Sequence, residues 1–259
     1  MRDFILGKIR AGESVVDFGD ITLSILTGDT PLGGFVRGDK DFFMAKSVPY
    51  LEGYARLTEG RAIETVLELG IFKGGSVVFF DRFFQPKQLT ALDIETDRIA
   101  KLDTYVRDSA TAHIDLRYGV SQDDRPAIAA IVAEDFPTGI DFVVDDASHF
   151  YSPTRASFEV IFPKVRPGGT YVVEDWSWGH SNPWDGGDNE DITRMLHQLI
   201  VLHAKRSDII SQIHLAPGFF AVTRGPTPLG DDFELPQGDG IKPAEPAKWR
   251  GFRHFLGIK

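Results

Sequence analysis

Short apolar runs alternate with longer amphipathic stretches over residues 61–206 of the chain. The runs are rich in Val, Ile and Leu and are bounded by turn residues, which is typical of strands buried inside a parallel sheet. The longer stretches carry apolar residues at helical spacing. The alternation predicts an α/β fold of repeated strand–helix units, with a mostly parallel sheet and helices on both of its faces.

Individual elements can be assigned from the same pattern. The predicted strands are Thr65–Leu69, Leu89–Leu92, His113–Tyr118, Asp141–Val144 and Thr170–Val173. The predicted helices are Ser76–Phe84, Asp97–Arg107, Arg125–Ala133, Thr154–Val165 and Ile192–Lys205, with Asp97 and Ser152 as N-caps. Two last runs, Ile209–Leu215 and Phe219–Thr223, flank Ala216-Pro217-Gly218 and predict an antiparallel hairpin that closes the sheet.

The two flanks of this region are less regular. Residues 1–38 contain seven Gly and alternating apolar positions, which predict a small β element, and residues 40–58 resemble a helix broken near Pro49. Five prolines after Gly225 predict an extended tail that ends in a short helix at Trp249–Leu256. We therefore predict an N-terminal β/helical extension at 1–60, a main domain at 61–225 and a Pro-rich tail at 226–259.

The composition narrows the choice of compartment and partner. The chain has 28 Lys and Arg against 38 Asp and Glu, a net charge of −10, which argues against nucleic acid as the main partner. It has no Cys and no apolar run long enough for a signal peptide or a membrane-spanning helix. We expect a cytoplasmic protein that binds neither nucleic acid nor membrane.

A glycine-rich loop follows the first strand of the main domain. It reads Glu68-x-Gly70-x-x-x-Gly74-Gly75-Ser76, and glycine at such a turn lets a ligand approach the backbone. The spacing differs from the GxGxxG dinucleotide fingerprint, which disfavours a nicotinamide dehydrogenase. A carboxylate here repels pyrophosphate and suits a cation, so Glu68 is predicted to hold an ammonium group directly or through water. The predicted binding loop comprises Gly70, Ile71, Gly74, Gly75 and Ser76.

The ends of the next two strands suit a nucleoside. An acid after the second strand can accept both ribose hydroxyls, and Asp93 is the first choice for that role, with Glu95 the second. Ser121 and Gln122 follow the third strand and can meet an adenine edge.

Two further strands end in pairs of acids, Asp145-Asp146 and Glu174-Asp175. In neighbouring parallel strands these carboxylates would share one crevice, where they repel each other unless a cation lies between them. Their hard oxygens favour Mg²⁺, with Ca²⁺ and Mn²⁺ as alternatives. His149 can act as a general base beside such a site, because its unperturbed pKa is about 6.5. The alternative is that the acids cap helices and His149 is a surface residue.

These motifs resemble those of a known family. The Glu68-to-Gly74 pattern with an acid at position 93 is similar to class I S-adenosylmethionine-dependent methyltransferases. The segments Asp145-Asp146-Ala147-Ser148-His149 and Gly168-Gly169-Thr170-Tyr171-Val172-Val173-Glu174-Asp175-Trp176 resemble the metal-dependent O-methyltransferases of antibiotic tailoring. That group includes macrolide-sugar, aminocoumarin and cephalosporin-hydroxylase-like enzymes. The resemblance covers about residues 61–225 and implies a Rossmann-like seven-stranded sheet, mostly parallel, with an antiparallel last strand.

The resemblance also implies a function. S-Adenosylmethionine and Mg²⁺ would be the cofactors, with Asp146, Glu174 and Asp175 as metal ligands, His149 as the base and Asp145 turned toward the S-adenosylmethionine side. The acceptor would be a hydroxyl of a small molecule such as a sugar or phenol of a natural product, and a homo-oligomer is expected. The alternative function is a non-catalytic nucleoside-binding protein on the same fold.

Two other segments can border the predicted site. Residues 176–188 contain Trp176, Trp178 and Trp184, which can stack on an acceptor as a lid or pack against a neighbouring helix. Phe42, Phe43 and Lys46 precede the first strand of the main domain and can either cover the cofactor or belong to a core helix.

Overall fold

A computed structural model describes residues 1–26, 38–108, 113–181 and 191–237. The strands are β1 (Val15–Asp17), β2 (Thr22–Leu26), β3 (Asp41–Ser47), β4 (Thr65–Leu69), β5 (Gln88–Asp93), β6 (His113–Tyr118), β7 (Ile140–Asp145), β8 (Val165–Glu174), β9 (Ile210–Leu215) and β10 (Phe219–Arg224). The helices are α1 (Arg2–Arg10), α2 (Val48–Leu57), α3 (Gly75–Phe84), α4 (Ala100–Asp108), α5 (Arg125–Asp135), α6 (Tyr151–Ile161), α7 (Trp178–Ser181) and α8 (Thr193–Lys205), and a 3₁₀ turn covers Phe162–Lys164.

Seven strands form the main sheet in the order β6-β5-β4-β7-β8-β10-β9. Strands β4 to β8 are parallel, and β10 is antiparallel to both β8 and β9. The predicted Rossmann-like sheet with an antiparallel last strand is therefore confirmed. Because β7 and β8 are parallel neighbours, the two acid pairs lie at the same edge, as the sequence predicts.

Side chains alternate between the two faces of the sheet. On β4, Val66 belongs to one hydrophobic core, together with residues of α2, α3 and α4. Leu67 and Leu69 belong to the other core, together with residues of α5, α6 and α8. Because both faces of the central strands pack against a hydrophobic core, β4 and β7 consist mostly of apolar residues.

Several predicted helix ends are wrong. α4 begins at Ala100, so Asp97 does not cap it, and α6 begins at Tyr151 with Phe150 as its N-cap, so Ser152 lies inside the helix. α6 was predicted to continue to Val165, but it ends at Ile161. A 3₁₀ turn that contains Pro163 follows, because proline removes a backbone donor.

The N-terminal region differs most from the prediction. The expected β element is present as β1 and β2, but α1 was not predicted, and the expected helix over residues 40–58 is wrong in its first half. Residues 41–47 form β3, which pairs in parallel with β2. A short apolar run cannot be distinguished from a helix by periodicity alone. Pro49 stands in the first turn of α2, directly after Val48, and the first turn of a helix tolerates proline.

The small sheet β1-β2-β3 packs on α3 and shares its hydrophobic core with the main sheet. The three-part division of the chain stays a prediction. No helix within the described ranges is long and apolar enough to cross a membrane. The predicted helix at Trp249–Leu256 and the part of the lid segment at 182–188 lie outside the described residues.

Candidate active site

One large cavity of about 860 Å³ opens at the carboxyl ends of the parallel strands. Its walls come from the residues that follow β4, β5, β6, β7 and β8, which is where open α/β sheets bind ligands. The N-terminal sheet adds Leu26, Ala45 and Ser47. The cavity therefore lies between the Rossmann-like sheet and the N-terminal extension.

Asp93 at the end of β5 fixes the glycine loop. Its Oδ2 accepts hydrogen bonds from the backbone N–H groups of Ile71 at 2.8 Å and Phe72 at 3.0 Å, and its Oδ1 accepts from Glu95 N at 2.9 Å. A carboxylate has further lone pairs, and Asp93 borders the cavity, so it can still accept from a ligand. Glu95, the second choice for the ribose, also borders the cavity.

The glycines of the loop have two different roles. Gly70 borders the cavity with φ +96°, and a Cβ there would lie 2.1 Å from the carbonyl oxygen of Asp146. A Cβ on Gly75 would lie 2.0 Å from the carbonyl oxygen of Phe43 in β3, and one on Gly74 would lie 2.8 Å from Leu102. Gly74 and Gly75 therefore allow α3 to pack against β3 and α4.

Four residues of the predicted binding loop do not line the cavity. The residues that line the cavity do not include Ile71, Gly74, Gly75 or Ser76, which are all buried. Of that loop, only Gly70 borders the cavity, which it does next to Leu69 and Phe72. The helix packing of the two later glycines is the physical reason for this difference.

Glu68 is buried at the centre of the sheet. It has no exposed surface, and neither of its carboxylate oxygens has a hydrogen-bond partner among the described residues. Burial raises the pKa of Glu68 to about 8, against the opposing attraction of Lys46. The structure thus places Glu68 behind the cavity wall, and its predicted role of holding a ligand ammonium, directly or through water, stays a prediction.

Asp145 is buried behind the cavity and binds side chains that lie next to it. Its Oδ1 accepts from Gln122 Nε2 at 2.6 Å, and its Oδ2 accepts from Ser157 at 3.1 Å and from Tyr171 at 3.0 Å. Burial raises the pKa of Asp145 to about 7, although these hydrogen bonds oppose the rise. Gln122 Oε1 in turn accepts from Ser148 Oγ at 2.6 Å.

Asp145 therefore positions the cavity residue Gln122, and it does not itself line the cavity. Ser121 and Gln122 both border the cavity, and their contact with an adenine stays a prediction.

Asp146, His149 and Asp175 form an open acidic group in the part of the cavity wall that follows β7 and β8. His149 Nε2 lies 3.9 Å from Asp146 Oδ1 and 3.9 Å from Asp175 Oδ2, and one ligand atom of each of the three residues lies within 4.8 Å of the others. At 3.9 Å the histidine does not donate a hydrogen bond to either carboxylate. The space between these atoms suits a cation, and the carboxylates supply the hard oxygens that Mg²⁺ prefers.

Glu174 has a different environment from its neighbour Asp175. Lys46 Nζ lies 2.7 Å from Glu174 Oε1, 2.8 Å from Glu174 Oε2 and 2.7 Å from Asp146 Oδ2, and Tyr54 donates to Glu174 Oε1. Lys46, Tyr54 and Glu174 are all buried.

The charges of this buried cluster depend on one another. Burial disfavours the ammonium of Lys46, but the attraction of Asp146 and Glu174 exceeds that cost and raises the pKa of Lys46 above its ordinary value. Burial and the repulsion of Asp146 raise the pKa of Glu174 above its ordinary value, and Lys46 opposes that rise.

Asp175 is held from the N-terminal side. The hydroxyl of Tyr50 lies 2.5 Å from Asp175 Oδ1 and 2.9 Å from the carbonyl oxygen of Gly218. The backbone N–H of Asp175 donates to the same Gly218 oxygen at 2.6 Å. Burial raises the pKa of Asp175, and the bond from Tyr50 opposes the rise.

Backbone strain is concentrated around the cavity. Among the described non-glycine residues, four have positive φ, and three of them, Phe72, His149 and Asp175, border the cavity. The left-handed region is costly for such residues and persists where surrounding contacts fix it. The side chains of His149 and Asp175 are aimed into the cavity by this conformation.

Trp178, at the start of α7, borders the cavity beside the acidic group. Its ring centroid lies 4.7 Å from that of His149, and 45% of its surface is exposed. Trp176 Nε1 donates to Ala216 O at 2.8 Å, so this tryptophan instead packs against the hairpin loop. Of the predicted lid residues that the structure describes, Trp178 is therefore the one available to a ligand.

The sequence interpretation missed Tyr50 and Tyr54 and assigned Lys46 no contact with the acids. All three lie on β3 or α2, about 100 to 170 residues from their partners. No local motif marks such distant pairs. The one available signal was a lysine within an otherwise apolar run, because a lysine is rarely buried without a partner.

The parallel sheet, the antiparallel last strand and the cavity at the strand ends define the fold of class I methyltransferases. In agreement with this, residues 67–176 match a family model described as a methyltransferase domain. The chain therefore contains a methyltransferase domain.

Curated natural-product O-methyltransferases are similar in sequence over this region. Demethylmacrocin O-methyltransferase of Streptomyces fradiae is 35% identical over 135 residues, which are 48% of this chain and 30% of the relative. Mycinamicin VI 2''-O-methyltransferase of Micromonospora griseorubida is 35% identical over 133 residues, which are 47% of this chain and 29% of the relative. The resemblance inferred from the motifs is confirmed, although the match spans about a third of the length of these relatives.

A solved structure supports the fold. The MycE methyltransferase from the mycinamycin biosynthetic pathway, in complex with Mg, SAH and mycinamycin VI, superposes with a TM-score of 0.53 at 24% identity. The match covers 74% of this chain and 52% of that one.

Proposed function

We propose that the protein is an S-adenosylmethionine-dependent O-methyltransferase that methylates a hydroxyl of a small molecule, a sugar or phenol of a natural product. The observation that carries this proposal is the position of His149, which lies between two open carboxylates in the same cavity as Asp93. A proton acceptor in the same cavity as an acid that can accept ribose hydroxyls suits methyl transfer to a hydroxyl.

The cofactor half of the cavity suits S-adenosylmethionine. Asp93 borders it with a carboxylate for the ribose, and Ser121 and Gln122 border it with polar groups for the base. Phe72 and Ile94 are exposed there and offer apolar surface to an aromatic base. Gly70 leaves the loop next to β4 free of a side chain. S-Adenosylmethionine supplies an activated methyl group when bound.

The open acidic group suits a divalent cation. Asp146 and Asp175 would hold it, and Mg²⁺ is commonly bound by one or two carboxylates with the remaining positions left to water and substrate oxygens. When bound, such a cation lowers the pKa of a hydroxyl that it contacts. The names of the relatives and the complex with Mg of one structural neighbour support this part of the proposal.

His149 would accept the proton of the acceptor hydroxyl. Its Nε2 faces both open carboxylates without a hydrogen bond to either, so it is free to accept. The ring of Trp178 packs on the imidazole and limits its rotation. The backbone of His149 has a positive φ of 58°, which directs the imidazole into the cavity.

The acceptor would enter from the side of the N-terminal sheet. Leu26 and Ala45 give the cavity apolar surface from the N-terminal sheet, and Trp178 adds apolar surface next to His149. A sugar ring has an apolar face that packs against such surfaces. Two curated relatives are named as O-methyltransferases of an olivosyl and a rhamnosyl compound, which supports an acceptor of this class. The cytoplasmic location and the homo-oligomeric state of the protein remain predictions.

Calorimetric titration with S-adenosylhomocysteine, once in the presence of Mg²⁺ and once in the presence of EDTA, tests whether the protein binds the cofactor as proposed. We expect micromolar binding in both conditions, because Asp93 ends β5, whereas the acidic group follows β7 and β8. A screen of hydroxylated glycosides and phenols with S-adenosylmethionine then tests turnover, which EDTA should abolish. Absence of S-adenosylhomocysteine binding would overturn the proposal. Tight binding without turnover of any acceptor would favour the alternative, a nucleoside-binding protein on the same fold.

A further inference from the structure

Lys46 occupies the position between Asp146 and Glu174 that the sequence motif reserves for a metal ion. Its ammonium lies 2.7 Å from Asp146 Oδ2, and 2.7 Å and 2.8 Å from the two oxygens of Glu174. With 2% of its surface exposed, it exchanges little with solvent. A buried cation that touches two of the three predicted ligands changes which oxygens remain for an external cation.

The oxygens of Glu174 are fully engaged. Oε1 accepts from Lys46 and from the hydroxyl of Tyr54, and Oε2 accepts from Lys46. The side chain is itself 2% exposed. For Glu174 to bind a second cation, it would have to leave both partners inside the protein, and unpaired buried charges are costly.

Asp146 and Asp175 each keep one oxygen free of these internal bonds. Asp146 directs Oδ2 to Lys46 and Oδ1 toward His149, and Asp175 directs Oδ1 to Tyr50 and Oδ2 toward His149. One oxygen of each aspartate is therefore bound inside the protein by Lys46 or Tyr50, and the other is not. Asp146 Oδ1 and Asp175 Oδ2 face the open side of the group.

We propose that Lys46 is a built-in cation that withdraws Glu174 from the metal-ligand set, so that an external divalent cation is held by Asp146 Oδ1 and Asp175 Oδ2. Lys46 is then a positioning residue that also limits the affinity for the external cation, because its charge repels that cation. This inference rests on the proposed function, and it reduces the three carboxylate ligands that the sequence resemblance implies to two.

The test uses Mn²⁺ as the probe, titrated into the full chain at pH 8 and followed by calorimetry and by the electron paramagnetic resonance of free Mn²⁺. Lys46→Met removes the internal cation while it keeps most of the side-chain volume. The double variant K46M/E174Q removes the charge pair together, so the net charge of the cluster is unchanged. Asp175→Asn removes a proposed ligand, and asparagine tolerates its positive φ.

We expect Lys46→Met to bind Mn²⁺ at least about tenfold more tightly than the wild type, because Glu174 and Asp146 Oδ2 become available. The double variant should return to within about threefold of the wild type, whereas Asp175→Asn should lose at least about tenfold. Lys87→Met is the matched control. It removes an exposed lysine that pairs with Glu64, and it should leave Mn²⁺ binding unchanged.

A double variant that loses as much affinity as Asp175→Asn would show that Glu174 is a ligand and would overturn the inference. Unchanged or weaker Mn²⁺ binding by a folded Lys46→Met would do the same. If Lys46→Met does not fold, the charge-balanced double variant decides alone. Absence of Mn²⁺ binding in every variant, with S-adenosylhomocysteine binding retained, would overturn the cation site itself, whereas loss of S-adenosylhomocysteine binding would overturn the methyltransferase proposal.

Discussion

The hydroxyl of Tyr50 lies 2.5 Å from Asp175 Oδ1, which joins the N-terminal extension to the acidic group of the main domain. Asp175 has a positive φ of 55°, a costly backbone conformation that surrounding contacts such as this hydrogen bond hold in place. Tyr50→Phe keeps the ring and removes the bond. We expect roughly a 10- to 100-fold loss of turnover and of Mn²⁺ affinity, as for other groups that orient metal ligands. Steady-state kinetics and Mn²⁺ titration measure both, and S-adenosylhomocysteine affinity should not change.

Gly218 makes room for the same tyrosine. A Cβ at this position would lie 2.2 Å from the Tyr50 ring, so Gly218→Ala should displace the ring from Asp175. We expect the variant to lose about 1–3 kcal/mol of unfolding free energy through overpacking, and to lose turnover as Tyr50→Phe does. Gly7→Ala is the control, because Gly7 lies inside α1 with nothing near its Cβ position, and it should gain about 0.5–1 kcal/mol. Equal stability of the two variants in urea denaturation would contradict the packing argument.

His149→Ala should lower kcat by roughly 10²- to 10⁴-fold if the imidazole takes the acceptor proton. S-Adenosylhomocysteine binding should stay within threefold of the wild type, because His149 follows β7, whereas the proposed ribose acceptor Asp93 ends β5. A fall in kcat below threefold would assign the proton transfer to another group.

Asp93→Ala should weaken S-adenosylhomocysteine binding at least about tenfold and lower the unfolding free energy by about 1–3 kcal/mol. Three backbone N–H groups, including those of Ile71 and Phe72, lose their acceptor in this variant. Asp97→Ala removes an exposed acid from the loop after β5 and serves as the control. Calorimetry and denaturation should leave the control unchanged; if Asp93→Ala also binds normally, Asp93 does not hold the nucleoside.

Glu68 should make the stability of the protein fall as the pH rises. Burial raises the pKa of Glu68 from 4.5 to about 8 in the folded protein, so the folded state holds this proton more tightly than the unfolded chain. The wild type therefore loses stability between about pH 4.5 and 8, a loss that Glu68→Gln lacks.

The difference in unfolding free energy between the variant and the wild type should grow in favour of Glu68→Gln across that range and level off above pH 8. Asp145 and Glu174 have raised pKa values as well, but they are present in both proteins and cancel in the difference. Urea denaturation from pH 5 to 9 measures it. A difference that stays constant with pH would show that Glu68 remains ionised.

The elements of the main domain were predictable because their signals are local. β4 was predicted with its observed bounds, and the order of the acid pairs along the chain placed Asp146 and Asp175 at one sheet edge. Strand periodicity and turn residues act over a few positions, and parallel pairing then brings the strand ends together. The family resemblance followed from motifs of the same local kind.

The N-terminal contacts were not predictable in this way. The apolar run at 41–47 is compatible with a helix or a strand, and only its pairing with β2 decides between them. That decision sets where Lys46 and the following α2 lie relative to the main sheet. The bond of Tyr50 to Asp175 joins residues 125 positions apart, a distance at which no sequence spacing carries information.

By itself, then, the sequence determined the parallel sheet, the carboxyl-end location of the site and the residue types that its chemistry needs. Only the tertiary structure decided which carboxylate oxygens are free. Asp146 and Asp175 each present one oxygen to the cavity, whereas Glu174 is bound to Lys46 and Tyr54. The physical reason is that a carboxylate motif fixes charge and position along a strand, but hydrogen bonds and burial from distant elements decide which of its lone pairs remain for a ligand.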